Sequence, residues 1–181
     1  MFSETVGVTT QTLVAPDTSV LDAIRQLCVD AFGPDFSDDD WAHTTGGTHV
    51  VFWSNGLVVA HAAVVERSMQ IGSATVSVGY VEGVATAPDR RGEGLGSAVM
   101  VEADRIIAEQ FEIGVLSTSS VGFYGRLGWQ QWRGKTYLQS GAERTRTADE
   151  DDGVMALLVV GAVSIDITND LTCRERRGDN W

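Results

Sequence analysis

A glycine-rich stretch, Tyr80–Met100, constrains the fold of this chain more than any other feature of its sequence. The stretch begins with apolar residues typical of a buried strand, and from Leu95 its apolar residues recur at helical spacing. Gly92, Gly94 and Gly96 lie between the two, and because glycine lacks a Cβ, a ligand can approach this backbone closely. A loop that leads into a helix favours an anion, since unpaired N–H groups and the helix dipole meet there. The sequence therefore predicts a strand, a pyrophosphate-binding loop and a helix.

The spacing of these glycines excludes two common phosphate loops. The stretch has no Gly-Lys-Ser/Thr, which a P-loop requires, and its alternate glycines differ from the G-x-G-x-x-G spacing of dinucleotide-binding folds. A strand–helix turn that uses glycine only for its tight geometry is the alternative interpretation. The spacing that fits is Arg91-x-x-Gly94-x-Gly96, which resembles the acetyl-CoA loop of the GCN5-related N-acetyltransferase superfamily.

That resemblance implies a fold, a cosubstrate and a set of binding residues. The fold would be α/β, with a mixed, mostly antiparallel sheet that splays at its centre and is flanked by helices. Acetyl-CoA would lie at the splay, with its pantetheine arm paired to the strand before the loop and its pyrophosphate held by the loop amides. The residues implied for acetyl-CoA are Val84, Ala85, Thr86, Arg91, Gly92, Glu93, Gly94, Leu95 and Gly96.

Apolar periodicity predicts antiparallel hairpins early in the chain, so a doubly wound parallel sheet is not expected. Asn55-Gly56 between two apolar runs is the clearest hairpin signal. Strands are expected at Val6–Val14, Thr48–Trp53, Leu57–Arg67, Thr75–Ala87, Ile113–Ser117, Trp129–Leu138 and Val154–Val160. Helices are expected after the cap residues Asp17–Ser19, at Leu95–Gln110, at Ser119–Leu127, and briefly after Asp40 as a cap. The segment Ser164–Trp181 is expected to be irregular.

Length and charge limit the classes of function that fit. The chain has 181 residues, which predicts a single domain over residues 1–181. A formal net charge of −12 disfavours nucleic acid and favours a cationic partner, although solubility alone would also explain it. The sequence shows no secretion signal or apolar run long enough to span a membrane. Its two cysteines fit a reducing compartment, so a cytoplasmic location is expected.

Two residues are candidates for catalysis. Tyr124 lies in Phe123–Trp129, which resembles the superfamily segment whose tyrosine hydroxyl approaches the coenzyme sulfur. A phenol there can protonate a departing thiolate, and the alternative is an ordinary half-buried helix tyrosine. Glu82, on the strand before the glycine-rich loop, can take the proton of an attacking amine, directly or through one water. It could instead anchor a cationic substrate or pair with an arginine.

A narrower resemblance is to the aminoglycoside 2′-N-acetyltransferases, and it spans nearly the whole chain. It is carried by the stretches Phe32–Phe36, Asp40–Thr44, Ala60–Val64, Gly79–Ala85 and Gly178–Trp181. It implies an acidic site for an aminoglycoside, made of the Asp35, Glu82, Asp151, Asp152 and Asp179 side chains, the Gly83 backbone, the Ser117 side chain and the carboxylate of Trp181. The resemblance leaves open which of Asp151 and Asp152 contacts the drug. Charge-assisted hydrogen bonds between ammonium groups and carboxylates are the strong kind.

The chain departs from that group between Ser117 and Tyr124, where Val121-Gly122 stands in place of a more basic turn. Its three histidines lack the spacing of metal ligands, so no metal site is expected. The resemblance leaves a homodimer open, because members of the superfamily often dimerise. Two other functions also stay open, namely acetylation of another polyamine or peptide amine, and binding of a cationic drug without turnover.

Overall fold

A computed structural model describes residues 7–159, 161 and 165–181. The helices are α1, Thr18–Phe32; α2, Asp38–Thr44; α3, Leu95–Gln110; and α4, Val121–Gly125. The strands are β1, Val8–Val14; β2, Thr48–Ser54; β3, Leu57–Ile71; β4, Ala74–Thr86; β5, Ile113–Ser117; β6, Gln130–Gln131; β7, Thr136–Ser140; β8, Glu143–Arg146; β9, Val154–Leu158; and β10, Leu171–Arg174. No helix in the described ranges is long and apolar enough to cross a membrane.

The chain divides into two compact units. The first unit comprises Met1–Val65 with Glu82–Ala103, and the second unit comprises Glu66–Val81 with Asp104–Trp181. The strands β3 and β4 and the helix α3 each begin in one unit and end in the other. The expectation of a single domain over residues 1–181 stays a prediction.

In the first unit, β1 pairs antiparallel with β2, and β2 pairs antiparallel with β3. Asn55 and Gly56 close the β2–β3 hairpin with φ values of 51° and 77°, the left-handed conformation that a two-residue hairpin turn requires, so this prediction is confirmed. The helix α1 begins after Asp17, whose side chain accepts a hydrogen bond from the Val20 N–H at 3.0 Å. The core of this unit is formed by Ile24, Leu27, Cys28, Val51, Val58 and Ala85.

The start of α2 differs from the prediction. Ser37, not Asp40, is the N-cap, and its hydroxyl accepts a hydrogen bond from the Asp40 N–H at 3.1 Å. Asp40 lies inside the first turn and its carboxylate accepts from the Ser37 N–H at 2.8 Å, which completes a capping box. The two residues therefore satisfy each other's backbone donors.

In the second unit the strand order is β6-β9-β5-β4-β3-β10-β7-β8. The β4–β5 and β10–β7 pairs are parallel, whereas β5–β9, β6–β9, β3–β10 and β7–β8 are antiparallel. The pairing is thus mixed and mostly antiparallel, as the sequence predicts. The strand predicted at Val154–Val160 is present at Val154–Leu158. Residue 160 of that prediction, and residue 6 of the strand predicted at Val6–Val14, lie outside the described residues.

Two predictions for the second unit are wrong. Trp129–Leu138 is not one strand but contains β6 and β7, because the N–H groups of Arg133 and Gly134 leave the ladder and donate to the Ile167 carbonyl. Gly134 is needed there, since a Cβ would lie 1.8 Å from the Asn169 carbonyl oxygen. The segment expected to be irregular contains β10, which lies between β3 and β7.

Candidate active site

The predicted phosphate loop is an open backbone cradle in the first unit. Gly92 and Gly94 have φ values of 84° and 82°, a conformation that L side chains rarely adopt. A Cβ on either residue would have no atom within 4 Å, so the space beside this backbone is free. The first hydrogen bond of α3 runs from the Ala98 N–H to the Gly94 carbonyl at 3.0 Å. The N–H groups of the first helical turn are therefore oriented for an anion, and the residues present fit a pyrophosphate.

The charged side chains of this loop hold its shape. Arg90 Nε donates to both carboxylate oxygens of Glu93, at 2.8 and 2.9 Å, and this pairing lowers the pKa of Glu93 below its usual range. Arg91 Nη2 donates to the Ala31 carbonyl at 2.9 Å, in the last turn of α1. Arg90 therefore braces the loop internally and Arg91 ties it to α1, and the loop amides stay as the groups suited to phosphate.

Glu82 lies on β4, half-buried, directly before a backbone irregularity at Gly83. Gly83 has a φ of 58°, and a Cβ there would lie 2.8 Å from Thr44 Cγ2, so only glycine fits. The Gly83 carbonyl accepts a hydrogen bond from His61 Nδ1 at 2.8 Å. The candidate base thus lies beside a backbone group that is held by a buried side chain.

Tyr124 is buried in the second unit, on the short helix α4. Its ring makes edge contacts with Phe123 and Trp129, at centroid distances of 4.9 and 6.2 Å. Burial raises the pKa of Tyr124 to about 12, so its hydroxyl keeps its proton and can donate a hydrogen bond. Trp129 is itself fixed by a hydrogen bond from Nε1 to Asp104 Oδ1 at 3.1 Å.

The acidic run at 149–152 separates into residues with different roles. Asp151 pairs with Arg146 and accepts from the Thr136 N–H at 3.1 Å, and the Arg146 hydrogen bond is the main cause that lowers the pKa of Asp151. Asp152 is exposed. Glu150, which the sequence reasoning missed, accepts from Ser117 Oγ at 3.4 Å. Which of these carboxylates is paired and which is exposed depends on the 3₁₀ turn Ala148–Glu150. No sequence signal marks that turn.

Glu150 and Asp179 are two carboxylates of the second unit whose charges interact. Burial raises the pKa of Glu150, and the charge of Asp179 raises it further, so the two carboxylates repel each other. Asp179 Oδ1 accepts from the Trp181 N–H at 3.0 Å, and the Trp181 side chain is buried in the core of this unit. Asp35 lies in the first unit, exposed, at the end of the 3₁₀ turn Gly33–Asp35.

The predicted site residues divide between the two units. The first unit holds Asp35, Glu82, Gly83, Val84, Ala85, Thr86 and the loop from Arg91 to Gly96, and the second unit holds Ser117, Tyr124, Asp151, Asp152, Asp179 and Trp181. Within the part of the chain that the structure describes, no group of three His, Cys, Asp or Glu side chains is arranged to hold a metal ion.

Two comparisons with known proteins identify the family of the chain. A family model described as an acetyltransferase (GNAT) domain matches residues 16–132. The aminoglycoside 2′-N-acetyltransferase of Mycolicibacterium fortuitum is 37% identical over 169 residues, which covers 91% of this chain and 87% of that protein.

Solved structures show the same fold at low sequence identity. A GNAT family acetyltransferase from Brucella melitensis, solved in complex with acetyl-CoA, has a TM-score of 0.60 and 18% identity, covering 90% of this chain and 94% of that one. The GNAT family N-acetyltransferase YhbS of Escherichia coli, in complex with CoA, has a TM-score of 0.65 and 14% identity, covering 94% and 93%. Other matched structures are longer, and the chain spans 33% of one and 36% of another. This chain therefore belongs to the GNAT family of acetyltransferases, whose acetyl donor is acetyl-CoA.

Proposed function

We propose that this chain acetylates the 2′-amine of aminoglycosides. The observation that carries the proposal is the 37% identity to the Mycolicibacterium fortuitum enzyme over 91% of this chain. The formal net charge of −12 supports it, because a polycationic drug is attracted to an acidic protein. Acetylation removes one positive charge from the drug and would weaken its binding to anionic RNA, so the activity would confer resistance.

The proposed chemistry is direct transfer without a covalent enzyme intermediate. Acetyl-CoA supplies the acetyl group as a thioester. Glu82 accepts the proton of the 2′-ammonium, through one water, so that the nitrogen lone pair can form the new amide bond. Tyr124 donates its hydroxyl proton to the sulfur as the C–S bond breaks, and the second proton that the nitrogen loses on becoming an amide restores the phenol. A pKa of about 12 means that the hydroxyl is protonated before the reaction. The amides of Arg91–Gly96 hold the pyrophosphate.

The proposed drug contacts are carboxylates, one hydroxyl and one backbone group. Asp35, Asp152, Asp179 and Trp181 stay in the proposal, together with Ser117 and the Gly83 backbone. Glu150 joins them because it is half-buried, repelled by Asp179 and in contact with Ser117, and an ammonium group would relieve that repulsion. Asp151 is assigned a structural role, since Arg146 and Thr136 already occupy its oxygens.

The test compares two drugs that differ at the 2′ position. Gentamicin carries a 2′-amine, whereas kanamycin A carries a hydroxyl there. Release of free thiol from acetyl-CoA with gentamicin alone is the expected result. Release with both drugs would keep the acetyltransferase but refute the 2′ position. Release with neither would favour another polyamine or a peptide amine as substrate, or a binder of cationic drugs without turnover.

A second experiment tests the proposed base. Glu82→Gln cannot accept a proton, so it should lower the rate and flatten the acidic limb of the rate–pH profile, where protonation of a carboxylate base slows the wild-type enzyme. An unchanged profile would refute the role of Glu82. If the protein only binds the drug, Glu82→Gln and Tyr124→Phe should both leave its function intact.

A further inference from the structure

Two histidines of the first unit form a buried pair that ends at the backbone beside Glu82. His49 on β2 is 1% exposed and His61 on β3 is 0% exposed. His49 Nδ1 lies 3.0 Å from His61 Nε2, and His61 Nδ1 lies 2.8 Å from the Gly83 carbonyl oxygen. Two imidazoles are costly to bury without partners, so this chain of hydrogen bonds accounts for their tolerance in the interior.

The chemistry of the partners fixes the protons of both rings. A carbonyl oxygen can only accept, so His61 Nδ1 must carry a proton. Burial lowers the pKa of His61 to about 3, so the ring is neutral and its Nε2 is an acceptor. His49 Nδ1 must then carry the proton that His61 Nε2 receives. Burial also lowers the pKa of His49, so both rings are neutral with the proton on Nδ1.

The Gly83 carbonyl has a second donor close by. Cys28 Sγ lies 4.0 Å from it, and burial raises the pKa of that thiol to about 12, so Cys28 keeps its proton. The carbonyl of a residue in regular β-structure would bond to the backbone of a neighbouring strand, whereas this one is held by side chains of α1 and β3. Glycine alone would leave this backbone free to rotate, and the donors remove that freedom.

We propose that His49 and His61 are positioning residues for acetyl transfer, which hold the Gly83 carbonyl and thereby fix the direction of the Glu82 side chain and of the Val84 N–H. The peptide between Gly83 and Val84 is trans and rigid, so an N–H of Val84 must point away from the side on which His61 holds the carbonyl. Glu82 precedes the held residue directly. The inference rests on the proposed role of Glu82 as the base.

The pair is tested by two substitutions of similar size and different hydrogen bonding. His61→Leu fills the space but cannot donate to Gly83, whereas His61→Asn places an amide nitrogen where Nδ1 stands and can donate to the carbonyl. With gentamicin and acetyl-CoA as substrates, His61→Leu should lower kcat at least ~10-fold and His61→Asn should stay within ~3-fold of wild type. The KM for acetyl-CoA should change by less than ~2-fold in both, because the phosphate loop is untouched.

Ile24→Ala is the matched control for lost stability, since Ile24 is fully buried in the core of the same unit and takes no part in the hydrogen bonds that join His49, His61 and Gly83. At a temperature where all variants are folded by circular dichroism, it should keep the wild-type kcat. The inference is overturned if His61→Leu also keeps the wild-type kcat, if His61→Asn is no better than His61→Leu, or if Ile24→Ala loses as much activity.

Two further readouts separate this inference from the proposed function. In a Glu82→Gln background, His61→Leu should lower kcat little further. Fully additive losses of kcat would show that the histidines do not act through Glu82. Amide ¹H–¹⁵N signals of Glu82 and Val84 should shift in His61→Leu and return towards their wild-type positions in His61→Asn. This measurement needs no substrate. Unshifted signals would overturn the inference and leave the base assignment intact, whereas an unaffected rate in Glu82→Gln would refute the base assignment and, with it, the action of the pair through Glu82.

Discussion

Asp151 accepts two hydrogen bonds from Thr136, one from its N–H at 3.1 Å and one from its Oγ1 at 2.8 Å. Arg146 completes the arrangement, with Nη1 donating to Asp151 Oδ1 at 2.9 Å and Nη2 pairing with Oδ2. These contacts join β7, β8 and the 3₁₀ turn that ends just before Asp151. The carboxylate is thus occupied within its own unit, which supports the structural role proposed for Asp151.

Asp151→Asn should lower the free energy of unfolding by ~1–2 kcal/mol at neutral pH, because it removes charge-assisted hydrogen bonds. The hydrogen bond from Arg146 lowers the pKa of folded Asp151 below its usual 3.8, so this stability is present above pH ~4 and is lost as the pH falls through the folded pKa. Urea unfolding at several pH values measures it. The exposed Asp152→Asn is the control, with a change within ~0.5 kcal/mol. Equal stability of both variants would contradict the structural role of Asp151.

Glu150→Gln should raise the KM for gentamicin ~10-fold and leave the KM for acetyl-CoA unchanged. Burial and the charge of Asp179 raise the pKa of folded Glu150, so its ionised form is disfavoured without a cation nearby. Removing that charge should therefore not reduce stability. Steady-state kinetics and unfolding curves test both statements. Asp149→Asn, an exposed neighbour, should change neither KM, and a similar effect of the two variants would show that only net charge matters.

The parts of the fold that depend on local sequence could be predicted well. Leu95–Gln110 and Ile113–Ser117 have the ends that apolar spacing predicted, whereas the helix expected at Ser119–Leu127 is shorter, running from Val121 to Gly125. The strand β10 could not be found because its partners are distant in sequence, with Leu171 opposite both Thr136 and Ile71. Its pairing is decided by tertiary contacts that no local pattern records.

The candidate site divides in the same way, into features that depend on neighbouring residues and features that depend on residues distant in sequence. Motif spacing predicted the open glycine loop before α3 and the strand that carries Glu82, both of which depend on consecutive residues. Sequence reasoning excluded metal ligation by the histidines, but it could not find that His49 and His61 meet, because that contact depends on the register of β2 against β3. The contact between Glu150 and Ser117 was also hidden, since adjacent residues of a 3₁₀ turn point in different directions.

Gly94→Ala should weaken acetyl-CoA binding through backbone strain and not through a clash. The residue has a φ of 82° and free space around the missing Cβ, so alanine costs ~1–2 kcal/mol unless the loop changes conformation. Either result alters the amides that meet the pyrophosphate, and the KM for acetyl-CoA should rise ~5–10-fold with the KM for gentamicin little changed. Gly141→Ala is the matched control, because Gly141 has a φ of 56° and equally free space in the β7–β8 turn. It should lose similar stability and keep both KM values, and a raised KM for acetyl-CoA in this control would contradict the prediction.

Tyr124→Phe should lower kcat ~100-fold and leave both KM values within ~2-fold, because the hydroxyl acts on the departing sulfur and not on bound ground states. Burial raises the pKa of Tyr124 to about 12, so the wild-type enzyme should show no alkaline limb from this group below pH ~11. The ring contacts with Phe123 and Trp129 persist in phenylalanine, which keeps the packing. Tyr137→Phe removes a hydroxyl from β7 in the same unit and should keep the wild-type kcat. If Tyr124→Phe also keeps it, Tyr124 is a packing residue and the sulfur takes its proton from elsewhere.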